Sequence, residues 1–297
     1  MAGDAQEKMK PTLGVFLGDT QCGGRTALGL DGYPLEGKTP YSLSADQNWL
    51  SDCFQDALLR VKTLAVEHRV FVGLGGDLVE GINHHGSTQT SGIPSTQAGM
   101  AVQLLLPYAT MADALYAVRG TDDHTGPEGD GDNSVARELG AKIDYHWTLG
   151  IENRILDWAH HGISVAQNPQ SENNGMKLAA EKTYWFHRDR ELTVPTTMIR
   201  HHAHRSPRPI EWRGIRVGVC GCWQLSTSFG YKIAGGLPPS IGLLLWWPET
   251  NVLERINYEP PRPITHPEFR DGTPDAGGTP AQVQPTSGAQ GEVPANG

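Results

Sequence analysis

Cysteine is scarce in this sequence, with four in 297 residues, at positions 22, 53, 220 and 222. Only Cys220 and Cys222 are close together, and two cysteines supply at most half of a zinc site. That argues against a disulfide scaffold and a structural zinc module, and for free thiols in a reducing compartment. Long hydrophobic runs are lacking too. Residues 241–247 form the most notable one, but Gly242 interrupts it and it is far too short to span a bilayer. Residues 1–10 are mixed in charge and contain no apolar signal core, so a soluble, cytoplasmic chain with no membrane partner is expected. Basic charge is in deficit, with 24 Lys and Arg against 33 Asp and Glu and a net charge of -9. This argues against a general nucleic-acid coat but leaves room for a local phosphate-binding groove. The deficit is uneven, because residues 187–216 carry seven arginines against three acids. A phosphate-binding P-loop is also missing, since Gly23 and Gly24 before Arg25 lack the rest of that pattern.

Hydrophobic residues make up 38% of the chain, enough for a real core, and 36 glycines and 21 prolines signal many loops. Apolar runs at Leu13–Leu17, Val70–Leu74, Ala114–Val118, Ile155–Ala159 and Pro195–Ile199 read as short strands. Between them lie amphipathic segments. Ser44 and Gln47 make a capping box that opens a helix through Leu50, Phe54, Leu58 and Val61. Further helices are expected near Thr96–Leu106, Ser134–Leu139 and Met176–His187. Alternation of strand and helix indicates an α/β layered fold. After Pro209 the pattern changes to strands joined by tight turns, including a hairpin around residues 248–251, so a second, largely antiparallel region is expected. The expected organisation is a flexible start at 1–10, one domain over 11–270, and a disordered Pro/Gly-rich tail over 271–297.

Each strand candidate ends in groups that can hold a metal. Asp19 and Gln21 follow the first, and Gly76, Asp77 and Glu80 follow the second. Thr121, Asp122, Asp123 and His124 follow the third. His160 and His161 follow the fourth, and His202 and His204 the last. Sites in open α/β sheets form at the carboxyl ends of strands, so these clusters can converge. Imidazoles two residues apart on extended chain point the same way and can grip one metal or two neighbouring ones.

This ordered series resembles the calcineurin-like metallophosphoesterases over residues 13–205. Their pattern is Asp-x-His, Gly-Asp-x-x-(Asp/Glu), Gly-Asn-His-(Asp/Glu), a histidine often before glycine, and Gly-His-x-His. Gly76-Asp77-Leu78-Val79-Glu80 is the clearest match. The run from Gly76 through His84 and His85 to Arg119-Gly120-Thr121 and His124 is also similar to phosphoesterases of bacteriophages and prophages. The resemblance implies a four-layer αββα sandwich with mixed sheets, and two divalent cations sharing a carboxylate and a hydroxide. Such cations sit about 3.5–4 Å apart and clamp an in-line phosphoryl displacement. Manganese is the first expectation for the metal, with iron, zinc, cobalt and magnesium as alternatives.

By the same resemblance Asp77 bridges the metals, and Asp19, Gln21 and His204 serve one of them. His202, Thr121 and a histidine of the His160–His161 pair serve the other, with His161 favoured because it precedes glycine. Glu80 orients rather than ligates. His124 protonates the leaving oxygen with Asp122 or Asp123 orienting it, and Arg205 and His85 contact substrate. Three departures stand out. Gln21 replaces histidine in the first motif, Thr121 and Asp122 replace Asn-His in the third, and His201 replaces the glycine before His202. The implied function is metal-dependent hydrolysis of a phosphoester, and the arginine-rich segment beside the ligand cluster favours a phosphodiester in a nucleotide or nucleic acid, which makes the chain a nuclease candidate. The competing reading is a non-catalytic domain of the same fold that binds a nucleotide, a metal or a protein partner.

Overall fold

The computed structural model describes residues 10–260 apart from 37–38, 83–88, 127–129, 167, 169 and 228–236. The tail at 271–297, nearly all of the 1–10 segment, and His84 and His85 lie outside the described residues. Eleven strands and five helices alternate along the described chain in the order β1 (Thr12–Leu17), α1 (Ala45–Ala65), β2 (Arg69–Leu74), α2 (Pro94–Met111), β3 (Ala114–Val118), α3 (Asp122–Thr125), α4 (Asp130–Leu139), β4 (Lys142–Asp144), β5 (His146–Ile151), β6 (Arg154–Ala159), α5 (Asn174–Arg188), β7 (Thr197–Arg200), β8 (Ile210–Trp212), β9 (Ile215–Val219), β10 (Ile241–Trp247) and β11 (Val252–Tyr258). The capping box closes as the sequence predicts, with Ser44 Oγ accepting from the Gln47 amide and the Gln47 side chain accepting from the Ser44 amide.

Two mixed sheets result. The first has the order β11-β10-β1-β2-β3-β4, and the second β5-β6-β7-β9-β8. Strands β1 to β4 run parallel, as do β6, β7 and β9, so their carboxyl ends gather at one end of each sheet. Three apolar clusters separate four layers. Helices α1, α2 and α4 pack Leu50, Phe54, Leu105 and Val135 onto the outer face of the first sheet. Phe16, Phe71, Trp158, Leu244 and Trp246 fill the space between the sheets. Met176 and Ala180 of α5 close the outer face of the second sheet against Met198, Ile215 and Val217. This is the expected αββα sandwich. Phe16 is central to the inter-sheet layer, meeting Trp158 edge-on at 5.4 Å between ring centroids.

Two features differ from the sequence reading. The strands after Pro209 are largely antiparallel, as expected, but they divide between the two sheets instead of forming one region. Strands β10 and β11 extend the first sheet, whereas β9 joins the second in parallel with β7. The β5–β6 hairpin also begins before the expected fourth strand, because Trp147, Leu149 and Ile151 alternate with polar or small residues too weakly to stand out. Among the described residues no helix is long and apolar enough to cross a membrane. All four cysteines are free and buried.

Candidate metal centre

The loops that leave β1 and β2 run side by side, tied by main-chain bonds, and the loop that leaves β3 joins them through the Asp77 carboxylate. Asp19 donates to the Gly76 carbonyl at 2.9 Å, and Gln21 donates to the Asp77 carbonyl at 3.0 Å. Close approach of this kind needs glycine. A Cβ on Gly120 would lie 2.1 Å from Asp77 Oδ1, and one on Gly75 would lie 2.0 Å from the His201 ring. Gly75→Ala should therefore overpack the base of the site and lower the melting temperature by roughly 2–10 °C. A thermal melt unchanged within error would show that His201 moves aside freely.

The backbone here is strained. Asp19 (φ +49°), Gln21 (+41°), Asp77 (+50°), His202 (+67°) and His204 (+51°) are all in the left-handed region. Such conformations cost non-glycine residues on the order of 1–3 kcal/mol each and concentrate at functional sites. The candidate ligands thus hold their aim at the expense of backbone comfort.

Asp77 lies at the centre. Its Oδ1 accepts from the Thr121 amide at 2.6 Å, and its Oδ2 from the Thr121 hydroxyl at 3.1 Å. His160 Nε2 lies 3.1 Å from Oδ2, and His202 Nδ1 lies 3.9 Å from it. Burial would raise the Asp77 carboxyl, but His160 and His202 beside it hold it well below the ordinary carboxylate range. Burial likewise opposes charge on His160, yet Asp77, Asp19 and the Gly75 carbonyl push it up to about 9. Because His160 Nδ1 donates to Gly75, Nε2 is the atom left to face Asp77. Of the adjacent histidines it is therefore buried His160 that meets the carboxylate. His161 is exposed, its ring 4.6 Å from that of His160 and 4.5 Å from that of His202.

Asp19 sits beside this group. Its Oδ2 accepts from the His202 amide at 3.2 Å, and His204 Nε2 approaches Oδ1 to 3.4 Å outside hydrogen-bond geometry. Gln21 Nε2 lies 3.3 Å from both His204 Nε2 and His124 Nε2. Since His124 Nδ1 donates to the Glu80 carbonyl at 3.0 Å, a neutral His124 accepts from Gln21 at Nε2. The orienting group expected at Asp123 is thus main chain, and the Asp123 side chain is exposed. Glu80 is buried, its carboxylate accepting from Gln224 at 3.0 Å. Arg205 is held by Glu172 at 3.0 Å and by the Ala166 carbonyl. Arg200, Arg213 and Arg216 pair with Asp157, Glu181 and Glu211. Most of the arginine-rich segment is therefore neutralised within the protein.

Two buried residues join the centre unanticipated. His201 accepts from the Trp158 indole at 3.0 Å, and burial pushes its pKa down to about 3. Asp132, on α4, accepts from three main-chain amides: Leu78 at 2.9 Å, Asp77 at 3.2 Å and Gly120 at 2.7 Å. Burial and then the charge of Asp77 push it up to about 7. No side-chain motif signals a residue that binds only backbone.

A divalent cation fits these residues. Asp19, Asp77 and His160 present ligand atoms within 4.8 Å of one another, and so do His160, His161 and His202. Asp19 Oδ1 and Gln21 Oε1 are buried and meet no hydrogen-bond donor among the described residues. An unmet buried acceptor costs on the order of 1–3 kcal/mol, and a carboxylate more, which a cation removes. Mixed carboxylate and imidazole donors suit manganese, iron, cobalt or zinc.

No family model matches the chain, and no curated protein does. Among solved structures it is similar to an archaeal phosphodiesterase, at 10% identity and a TM-score of 0.43, covering 83% of this chain and 99% of that one. It is also similar to Vps29 of Chaetomium thermophilum, at 12% identity and a TM-score of 0.40, covering 86% and 100%. Scores of this size describe general shape and say nothing of chemistry.

Proposed function

We propose that this chain is a metal-dependent phosphoester hydrolase of the metallophosphoesterase type. The observation that carries the reading is the convergence of Asp19, Asp77, His160 and His202 from the ends of strands in both sheets, with Asp19 Oδ1 unmet by any donor among the described residues. In this reading Asp77 contributes to both of two cation positions. Asp19 and His204 complete one, with Gln21 Oε1 as the neutral oxygen donor in place of histidine. His160 and His202 complete the other, with Thr121 and His161 at its open side. Two such cations, when bound, neutralise phosphate charge and hold the attacking and leaving oxygens in line. The protein's own part is positioning and proton supply. Glu80 holds His124 through its carbonyl, so that the proton on Nε2 of the imidazolium is the one offered to a leaving oxygen. Manganese is the proposed ion.

A phosphodiester, from a nucleotide or nucleic acid, remains the substrate class to try first, although the paired arginines give that preference little support. The test is hydrolysis of bis(p-nitrophenyl) phosphate and p-nitrophenyl phosphate by metal-stripped protein, with and without Mn²⁺. Chelation should reduce turnover to background. Mn²⁺ or Co²⁺ should restore it better than Ca²⁺, because imidazole ligands favour the former. Folded protein that stays inactive with every metal overturns the reading.

One observation favours the non-catalytic alternative. The Gln21 amide stands against the ring nitrogens of both His124 and His204, where it competes with a metal or a substrate. Tight Mn²⁺ uptake without turnover is the result that reading expects.

A further inference from the structure

Asp132 has no part in the chemistry proposed above, yet it is fully buried beside Asp77, another carboxylate. Placing like charges together in a dry interior is unfavourable, so its retention needs a compensating task. Its contacts define one. Oδ1 accepts from the Leu78 amide, while Oδ2 accepts from the amides of Asp77 and Gly120. The first two amides belong to the loop after β2 and the third to the loop after β3. Immediately beyond Gly120, Thr121 donates twice to the Asp77 carboxylate. Main chain and side chain of Asp77 are thus held from two directions by one assembly, anchored on α4.

We propose that Asp132 is the positioning residue that sets the Asp77 carboxylate for metal binding, by clamping the β2 and β3 loops together through three main-chain amides. The inference rests on the metal-centre reading above. It also explains why the residue is a carboxylate. Asparagine has the same shape but only one acceptor oxygen, so one edge of its amide would set NH₂ against a main-chain N–H. Either the Leu78 bond or the Asp77–Gly120 pair is then lost.

The test is calorimetric titration of metal-stripped wild type, Asp132→Asn and Val135→Ala with Mn²⁺, beside thermal melts of each. Val135 is a buried core residue on the same helix with no part in the proposed centre. Groups that orient metal ligands typically change metal affinity by about 10–100-fold, so Asp132→Asn should raise the dissociation constant by that factor. The rate at saturating Mn²⁺ should fall much less. Val135→Ala should lower the melting temperature and leave the dissociation constant unchanged. Wild-type affinity in Asp132→Asn, or an equal loss in Val135→Ala, overturns the positioning role. A wild type that takes up no Mn²⁺ overturns the metal-centre reading and this inference with it. Should Asp132→Asn fail to fold, amide hydrogen exchange on the wild type decides. Mn²⁺ should slow exchange at Asp77, Leu78 and Gly120 more than in β11, and equal effects overturn the proposal.

Discussion

Asp77→Ala should abolish phosphoester hydrolysis while leaving circular dichroism unchanged. In the proposed chemistry this carboxylate contributes to both cation positions, so its removal weakens both together. The loss should exceed the roughly 10²–10³-fold typical of removing one preorganised charge-stabilising donor. Stability should change little, because opposing effects meet at this position. Alanine leaves the two Thr121 donors and His160 without their acceptor, but it also removes a buried negative charge beside Asp132 and close to Asp19. Turnover and a thermal melt on the same preparation separate chemistry from folding. Retention of half the wild-type rate would exclude the bridging role.

His124→Ala should have the next largest effect, and one that depends on the substrate. A general acid matters only when the departing oxygen is basic, and its loss typically costs about 10²–10⁴-fold. The mutant should therefore lose that factor on an alkyl phosphodiester and far less on a p-nitrophenyl ester. The structural ground is the Glu80 carbonyl, which holds Nδ1 and leaves Nε2 as the working nitrogen. Gln21, 3.3 Å from Nε2, must then give way to substrate. Equal losses on both substrates would assign His124 to metal binding or to structure instead.

Much of the architecture could be read from the sequence, because strands buried on both faces are short apolar runs and the helices between them carry a clear apolar stripe. Strand β5 escaped because its polar and small residues, His146, Thr148 and Gly150, face away from the core and dilute the signal. At the candidate centre, carboxylates after glycine at strand ends were visible as Asp19 and Asp77. The His160–His161 pair was not resolvable, because adjacent residues leaving a strand point to opposite sides and only tertiary packing chooses the inward one. Asp132 was invisible for a different reason. It recognises main-chain amides, and these are present at almost every residue. The arginines after His187 left room for a local phosphate-binding groove, but their partners Asp157, Glu172, Glu181 and Glu211 include residues up to 43 positions away.

The placement of the centre has a consequence best stated in the language of polymers. Asp77 and His160 are 83 residues apart and Asp19 and His202 are 183 apart, and each pair joins the first sheet to the second. A cation gripped by these groups is a reversible cross-link closing very large loops. Loop-closure entropy grows only with the logarithm of loop length, so these long ties constrain the open chain at least as strongly as local ones. A ligand that binds only the closed form stabilises it by about 2.7 kcal/mol at a free concentration one hundred times its dissociation constant. If the proposed centre binds its metal, the supply of free metal would therefore set how firmly the two halves of the sandwich stay joined, whether or not any ester is being cleaved.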